Sequence, residues 1–286
     1  MGGNIFKDQA RPIVRENVRP TLKKYIEALG YAFPKKAHVF ENFHTVGSTG
    51  KKEVSGDMDL AIDFKHFFDD EPYNDKELRE YLIDPQEWRK LYEKTKSRAR
   101  TATDNMCKLK AFLKLISAPI ASTGLIQVAN KKTTTGNIFT LFSQYDYYGE
   151  RNHGVQIDWM IGDLPWLKFA YHSSETGQMK GLHRTQLIVA MLSAKGYTFS
   201  HTTGIKDKDS NSFVATTPKE ARDLLTKLYG SITPEDLENY KNLHSYLEYN
   251  SSPEDYKSAI QCYIRILTVS KARIPMNIRG LIDENP

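Results

Sequence analysis

Cysteine is nearly absent. The chain holds two, Cys107 and Cys262, far apart, which gives neither a zinc-ligand spacing nor a disulfide framework and points to a reducing compartment. No window approaches the roughly 18 consecutive apolar residues of a membrane span. The opening MGGNIFKDQARPIV lacks the apolar stretch of a signal peptide, and Phe6 stands where myristoylation of Gly2 favours Ser or Thr. No repeat or low-complexity tract interrupts the chain. The expectation is an intracellular protein, cytoplasmic or, in a eukaryote, nuclear, with no membrane partner. A large excess of one charge is also missing: 40 Lys and Arg against 35 Asp and Glu leave +5, which permits a polyanionic partner without demanding one.

At 286 residues, 40% hydrophobic and 26% charged, the chain can bury at least one full core, as one large domain or two modest ones. Its charge is unevenly placed. Residues 89–114 carry nine Lys and Arg against Glu93 and Asp104. Within them Arg89, Lys90, Lys94, Lys96, Arg98 and Arg100 make a basic stripe that suits a nucleic-acid backbone; such a run is also the ordinary pattern of a solvated helix face. Residues 59–80 hold the opposite imbalance, with Asp63, Asp69, Asp70, Glu71, Asp75, Glu77 and Glu80 crowded together.

Apolar spacing from Ile13 to Leu29 predicts a helix over 9–29, kinked or divided at Pro20 and stopped by Gly30. An extended segment over 37–46 leads into a Gly-Ser turn. The clearest strand follows, with Met58, Leu60, Ile62 and Phe64 on one face and Asp57, Asp59, Ala61 and Asp63 on the other; Asp63 reads as a solvent-exposed strand end. Asp84-Pro85-Gln86-Glu87 combines a capping residue, an N1 proline and an N3 glutamate and opens a basic helix to about Arg98. A second helix places Met106, Leu109, Phe112, Leu113 and Ile116 on one face. Strands are predicted at 124–129, 137–145 and 153–162, the last alternating Val155, Ile157, Trp159 and Ile161 against Gln156, Asp158 and Met160. GLHRTQLIVAMLSAKG reads as a helix ending at Gly196, 197–216 as a β-hairpin, and Thr217-Pro218, Thr233-Pro234 and Ser252-Pro253 as three further helix starts. A mixed α/β half and a mostly helical half divide near 165–180.

The chemistry concentrates in VGSTGKKEVSGDMDLAID, residues 46–63. Asp57 and Asp59, two apart on one strand, leave the same face, and Asp158 sits on a second strand with the same alternation. Carboxylates in a sheet core cost several kcal/mol each unless a cation compensates them. If the two strands are neighbours, three carboxylates converge, and a pair of Mg²⁺ or Mn²⁺ ions about 3.5–4 Å apart would answer their charge. Such ions hold a triphosphate in line with an attacking hydroxyl. Gly47 and Ser48 offer a close backbone approach and a hydroxyl for phosphate oxygens, while Lys51 and Lys52 offer charge.

Gly-Ser, then SGDMDLAI, then the Asp of HGVQIDWMI resembles the DNA polymerase β-like nucleotidyltransferase superfamily, and the Ser-Gly-Asp-Met-Asp wording is most similar to family X DNA polymerases. The likeness continues more weakly through KFAYHSS and GLHRTQLIVAMLSAKGYTF to TPKEARDLLTKLYG. It implies an α+β fold: a palm-like catalytic domain over 1–170, a mixed sheet with flanking helices, followed by a mostly helical, thumb-like domain over 171–286; the gap between Asp59 and Asp158 is long for the family and marks the basic helical stretch at about 74–116 as an insertion. It implies that Asp57 and Asp59 bind both metals, and that Asp158 binds the catalytic one and helps deprotonate a primer 3′-hydroxyl. It places Ser48, Lys51 and Gly56 on the triphosphate. Lys51 stands where the family often has Arg, which loses the bidentate fork. The family's sugar-contacting Tyr-Phe-x-Gly becomes Tyr171-His172-Ser173-Ser174, leaving the choice of ribose or deoxyribose open. The stretch before the motif, about 44 residues, is shorter than the lyase domain of many family X repair enzymes.

The resulting expectation is transfer of NMP or dNMP from a nucleoside triphosphate to a nucleic-acid 3′-hydroxyl, DNA before RNA, with release of pyrophosphate. An RNA tail, another nucleotide (as in the synthesis of an oligonucleotide signal) or a protein side chain are alternative acceptors, and an inactive fold serving as a nucleic-acid-binding module is the alternative of a different class. Arg184 fits either a triphosphate or template contact or a nearby carboxylate. His172, His183 and His201 read as polar surface or satisfied core rather than metal ligands. GSTGKK lacks P-loop spacing, and DKDSNSF from Asp207 lacks the Gly and Glu of an EF-hand, so it reads as a hairpin tip. Residues 231–286 fit extra thumb helices, partner docking or core completion equally.

Overall fold

A computed structural model describes residues 5–99, 103–129, 137–177 and 179–281; Arg100 of the basic stripe lies outside them. The chain divides into two compact units, Met1–Leu164 and Pro165–Pro286.

The first unit is α+β. Its strands are β1 (Ile13–Val14), β2 (His44–Val46), β3 (Val54–Ser55), β4 (Met58–Asp63), β5 (Gln127–Val128), β6 (Ile138–Tyr145) and β7 (Arg151–Gly162). Its helices are α1 (Arg15–Ala32), α2 (Ala37–Phe40), α3 (Asp75–Glu80), α4 (Pro85–Arg98) and α5 (Asp104–Ser122). Five strands form one mixed sheet in the order β2-β4-β7-β6-β5, with β4 and β7 parallel and the other neighbours antiparallel. Alternation decides which side chains enter the main core. Met58, Leu60 and Ile62 of β4 and Val155, Ile157, Trp159 and Ile161 of β7 enter one core with Tyr25 and Leu29 of α1 and Phe112 and Ile116 of α5. Polar edges in that core are paired: the Trp159 indole N–H donates to Tyr25 Oη at 2.7 Å, which lies 2.8 Å from Thr140 Oγ1.

Several boundaries differ from the sequence reading. α1 starts at Arg15, because Ile13 and Val14 pair instead with Ser55 and Val54, and residues 5–12 run as a separate strap. The helix continues through Pro20 and Gly30 to Ala32; Pro20 removes one amide donor near its start, and Pro34 bars continuation beyond its end. The extended segment contracts to His44–Val46, since Val39 and Phe40 are buried in a short helical turn. Asp63 is buried, not exposed: its carboxylate accepts the Lys65 N–H at 3.0 Å and caps the next turn. The acidic stretch has its own answer in Lys36, fully buried, whose Nζ lies 2.6 Å from Asp69, 2.6 Å from Glu77 and 3.2 Å from Glu80.

The second unit holds most of α6 (Leu164–Ala170), then α7 (Gly181–Ala194), β8 (Tyr197–Ser200), β9 (Gly204–Asp207), β10 (Phe213–Ala215), α8 (Pro218–Tyr229), α9 (Tyr240–Asn250) and α10 (Pro253–Val269). The hairpin is a three-stranded antiparallel sheet. Asp207 accepts from the Asp209 and Ser210 amides and shapes its tip. Thr217 and Glu220 make a reciprocal capping box on α8. Thr233-Pro234 opens only a turn, closed by Thr233 and Asp236, and α9 starts at Tyr240 under an Asn239 cap. α7 is central, with Leu187, Ile188, Met191 and Leu192 fully buried and α10 and α9 against it. Leu243, Leu247, Ile260, Tyr263, Leu267 and Ile278 join the same core, so residues 231–281 complete it. Among the described residues no helix is long and apolar enough to cross a membrane.

Candidate active site

β4 and β7 run side by side in parallel, and their register sets Asp59 directly opposite Asp158. Because Leu60 and Trp159, one residue on, face the core, the two carboxylates must leave the opposite face. Asp57 sits in the turn just before β4. Ligand oxygens of Asp57, Asp59 and Asp158 all lie within 4.8 Å of one another.

The loop between β2 and β4 is tied to these acids by its backbone. Gly47 has φ +61°, and a Cβ there would overlap Asp59 Oδ2, so both its dihedral and its space require glycine. Ladder pairing of β2 with β4 stops at Val46 and Asp59; beyond it, Thr49 Oγ1 accepts the Asp59 N–H at 2.9 Å. The Ser48 carbonyl accepts the Lys51 amide at 3.0 Å, the Lys52 amide at 3.1 Å and Ser55 Oγ at 2.9 Å. Gly47, Ser48, Lys51 and Lys52 thus belong to one wound turn beside Asp59. Gly56, by contrast, has open space around its Cα and no positive φ, so nothing steric requires glycine there.

Burial governs the electrostatics. It raises the Asp59 carboxyl well above the ordinary range, and the charges of Asp57 and Asp158 push the same way. Burial also pushes Asp158 up to about 7; Asp57 adds to the rise, and a hydrogen bond from Gln156 opposes it. Gln156 Nε2 donates to Asp158 Oδ1 at 2.8 Å, while Asp158 Oδ2 is buried with no hydrogen-bond donor. The strap supplies the cover. The Ile5 N–H donates to Gln156 Oε1 at 2.8 Å, Phe6 and Ala10 pack on Phe139, and the Arg11 N–H reaches the Gly154 carbonyl at 2.8 Å. Three hard oxygen donors, mutually repelling, with one carboxylate oxygen left unsatisfied, make a donor set that fits a hard divalent cation. The other acidic cluster, Asp69, Glu77 and Glu80, is already filled by the Lys36 ammonium.

The remaining sequence candidates are placed differently. Arg89 is paired with Asp75, and Lys96 lies 3.0 Å from Asp104 and donates to Tyr92 Oη at 3.0 Å. Lys90, Lys94 and Arg98 are exposed on α4 at i, i+4, i+8 spacing. In the second unit, Tyr171 packs against the His201 ring, and His172 Nε2 lies 3.2 Å from Glu238. Arg184 is buried, its Nε donating to the Leu237 carbonyl at 2.7 Å and its Nη1 to the Phe169 carbonyl at 2.6 Å; neither acceptor is a carboxylate. His183 is a satisfied core residue, 2.9 Å from Tyr263 Oη.

Two contributors escaped the sequence reading. Gln156 stands two residues before Asp158 on the same face, so its position was visible but its role was not. Thr49 carried no signal, because its partner is a backbone amide ten residues on. No protein-family model matches the chain, and no curated protein does.

Proposed function

We propose that the first unit is a nucleotidyltransferase of the polymerase β-like kind. It would transfer NMP or dNMP from a nucleoside triphosphate to the 3′-hydroxyl of a nucleic acid, with release of pyrophosphate. The observation that carries this reading is the opposition of Asp59 and Asp158 on parallel strands, with Asp57 beside them and a glycine-dependent loop against Asp59.

Asp57, Asp59 and Asp158 would hold Mg²⁺ or Mn²⁺, which when bound supplies charge neutralisation for the triphosphate and acidifies the attacking hydroxyl. The chain's own groups do the positioning. The turn at Gly47 and Ser48 brings backbone close to where a triphosphate would lie, since a side chain at 47 would collide with Asp59. Thr49 holds the strand amide of Asp59 and so ties the loop to the backbone that carries that carboxylate. Gln156 fixes one oxygen of Asp158 and leaves Oδ2 without a hydrogen-bond donor, so that oxygen would be the one to ligate a cation. The exposed row of Lys90, Lys94 and Arg98 supports a polyanionic acceptor.

The test is an incorporation matrix. Each labelled NTP and dNTP, with Mg²⁺ or Mn²⁺, is offered to gapped DNA, primed template, single-stranded DNA, single-stranded RNA and no acceptor. Template-directed addition supports a polymerase, and untemplated or acceptor-free product moves the reading to a terminal transferase or signal synthase. Silence across the matrix with nucleic-acid binding retained would overturn the enzymatic reading in favour of a binding module.

A further inference from the structure

The second unit contains a cavity of about 300 Å³ whose lining includes Phe169, His172, Arg184, Lys219, Arg222 and Glu238. Its chemistry is lopsided. Arg184 is only 3% exposed. Its guanidinium lies 4.7 Å from the Phe169 ring centroid, and its two bonded acceptors are main-chain carbonyls. These contacts fix the plane of the guanidinium without cancelling its charge. Burial lowers the group to about 10, with Glu238 opposing, so it is cationic at neutral pH. A buried cation without a counter-ion is costly, and among the described residues no carboxylate lies within ion-pair distance of it. Glu238, the one acid of the lining, is 3.2 Å from His172.

Two further cations stand in the first five residues of α8, Lys219 and Arg222. A helix N-terminus is the positive end of the macrodipole and disfavours cations. Both features, the guanidinium without a counter-ion and the cations near a positive helix end, are relieved by one change: an anion in the cavity. Three permanent cations against one carboxylate leave an excess of two, which matches a doubly charged ligand. Arginine forks suit phosphate oxygens, and the prolines and leucine that complete the walls leave room for an apolar carrier.

We propose that this cavity binds a phosphate monoester dianion, held by Arg184, Lys219 and Arg222. The site lies wholly within the second unit and calls for no metal, so it stands independently of the nucleotidyl-transfer reading.

The test is calorimetry on the full chain in EDTA, which keeps divalent cations from the acidic site, with inorganic phosphate and AMP as probes. Saturable phosphate binding is expected, weakened at least about tenfold in the Lys219→Gln, Arg222→Gln double variant by loss of charge-assisted contacts, and unchanged in Asp57→Asn, Asp59→Asn. Both α8 positions have solvent access, and an unchanged melting curve verifies the fold. AMP binding tighter than phosphate identifies a nucleotide carrier; equal affinity identifies the free ion. No saturation at millimolar phosphate, or equal affinity in the α8 double variant, would overturn the proposal.

Discussion

Asp59 and Asp158 are direct partners across neighbouring parallel strands. Asp158 is buried and Asp59 half-buried, on a face whose other side forms the core, and burial raises both carboxyls. If the pair holds catalytic cations, Asp59→Asn should cut nucleotide incorporation by at least about 10²–10³-fold, the scale of losing one preorganised charge at a reacting centre. Nucleic-acid binding, followed by fluorescence anisotropy, should survive. Incorporation at parental rate would remove the pair from the mechanism.

Gly47 gives a sharper probe of the loop. Gly47→Ala places a methyl on Asp59 Oδ2 and forces an L-residue to φ +61°. A strained backbone position of this kind costs about 1–3 kcal/mol, read as a lowered urea midpoint. Activity should fall further than stability explains, because Asp59 must move. Gly56→Ala is the control, with open space and ordinary φ, and should leave the midpoint unchanged.

Asp59 was legible because strand alternation is a local pattern; Asp57, read as part of the same strand, instead sits in the turn just before it, since β4 starts at Met58. The pairing of that strand with that of Asp158 was an inference from charge, since no local pattern contains it. What could not be read had its partner elsewhere. Thr49 acts on the Asp59 amide, Gln156 on the Ile5 amide, and the strap itself was submerged in a helical pattern that begins only at Arg15. Thr233-Pro234 misled for the opposite reason, because Thr233 and Asp236 satisfy each other within a single turn and no helix need follow.

Asp158 makes metal-free stability depend on pH with a definite sign. Burial raises its folded value to about 7 from 3.8, so the folded state binds the proton more tightly than the unfolded one. The associated stability is present below about pH 4 and is lost as pH rises through about 7. In EDTA, the melting temperature of Asp158→Asn relative to the parent should therefore rise across that window and level off above it. The difference is on the order of 4 kcal/mol. Added Mg²⁺ should return the parent's stability at pH 8 without moving the variant as far. A pH-independent difference would mean that Asp158 is not held in its protonated form.

Lys36 is the stability counterpart. Its ammonium is enclosed by Asp69, Glu77 and Glu80; burial alone would lower its pKa, but the hydrogen bonds it donates to the three acids outweigh it and the net direction is up. Lys36→Met leaves Glu77, itself fully buried, without its cation, and should cost about 3–5 kcal/mol in urea unfolding. Glu80→Gln should cost much less, because that side chain is partly exposed and at 3.2 Å is the longest of the three contacts.

The basic stripe divides into residues already engaged and residues available. Arg89 and Lys96 have Asp75 and Asp104 as partners, whereas Lys90, Lys94 and Arg98 share one exposed face of α4. A cation that must leave a carboxylate to reach a phosphate gives back much of what it gains. Replacing Lys90, Lys94 and Arg98 by Ala should therefore reduce the slope of log K against log salt by about two, roughly 0.7 per lost phosphate contact on a single strand, in titrations of a single-stranded oligonucleotide. The Arg89→Ala, Lys96→Ala pair should change the slope by less, even though it also removes positive charge from the same helix. Equal effects would mean that the helix contributes only through net charge, and an unchanged slope in both would return α4 to an ordinary solvated face.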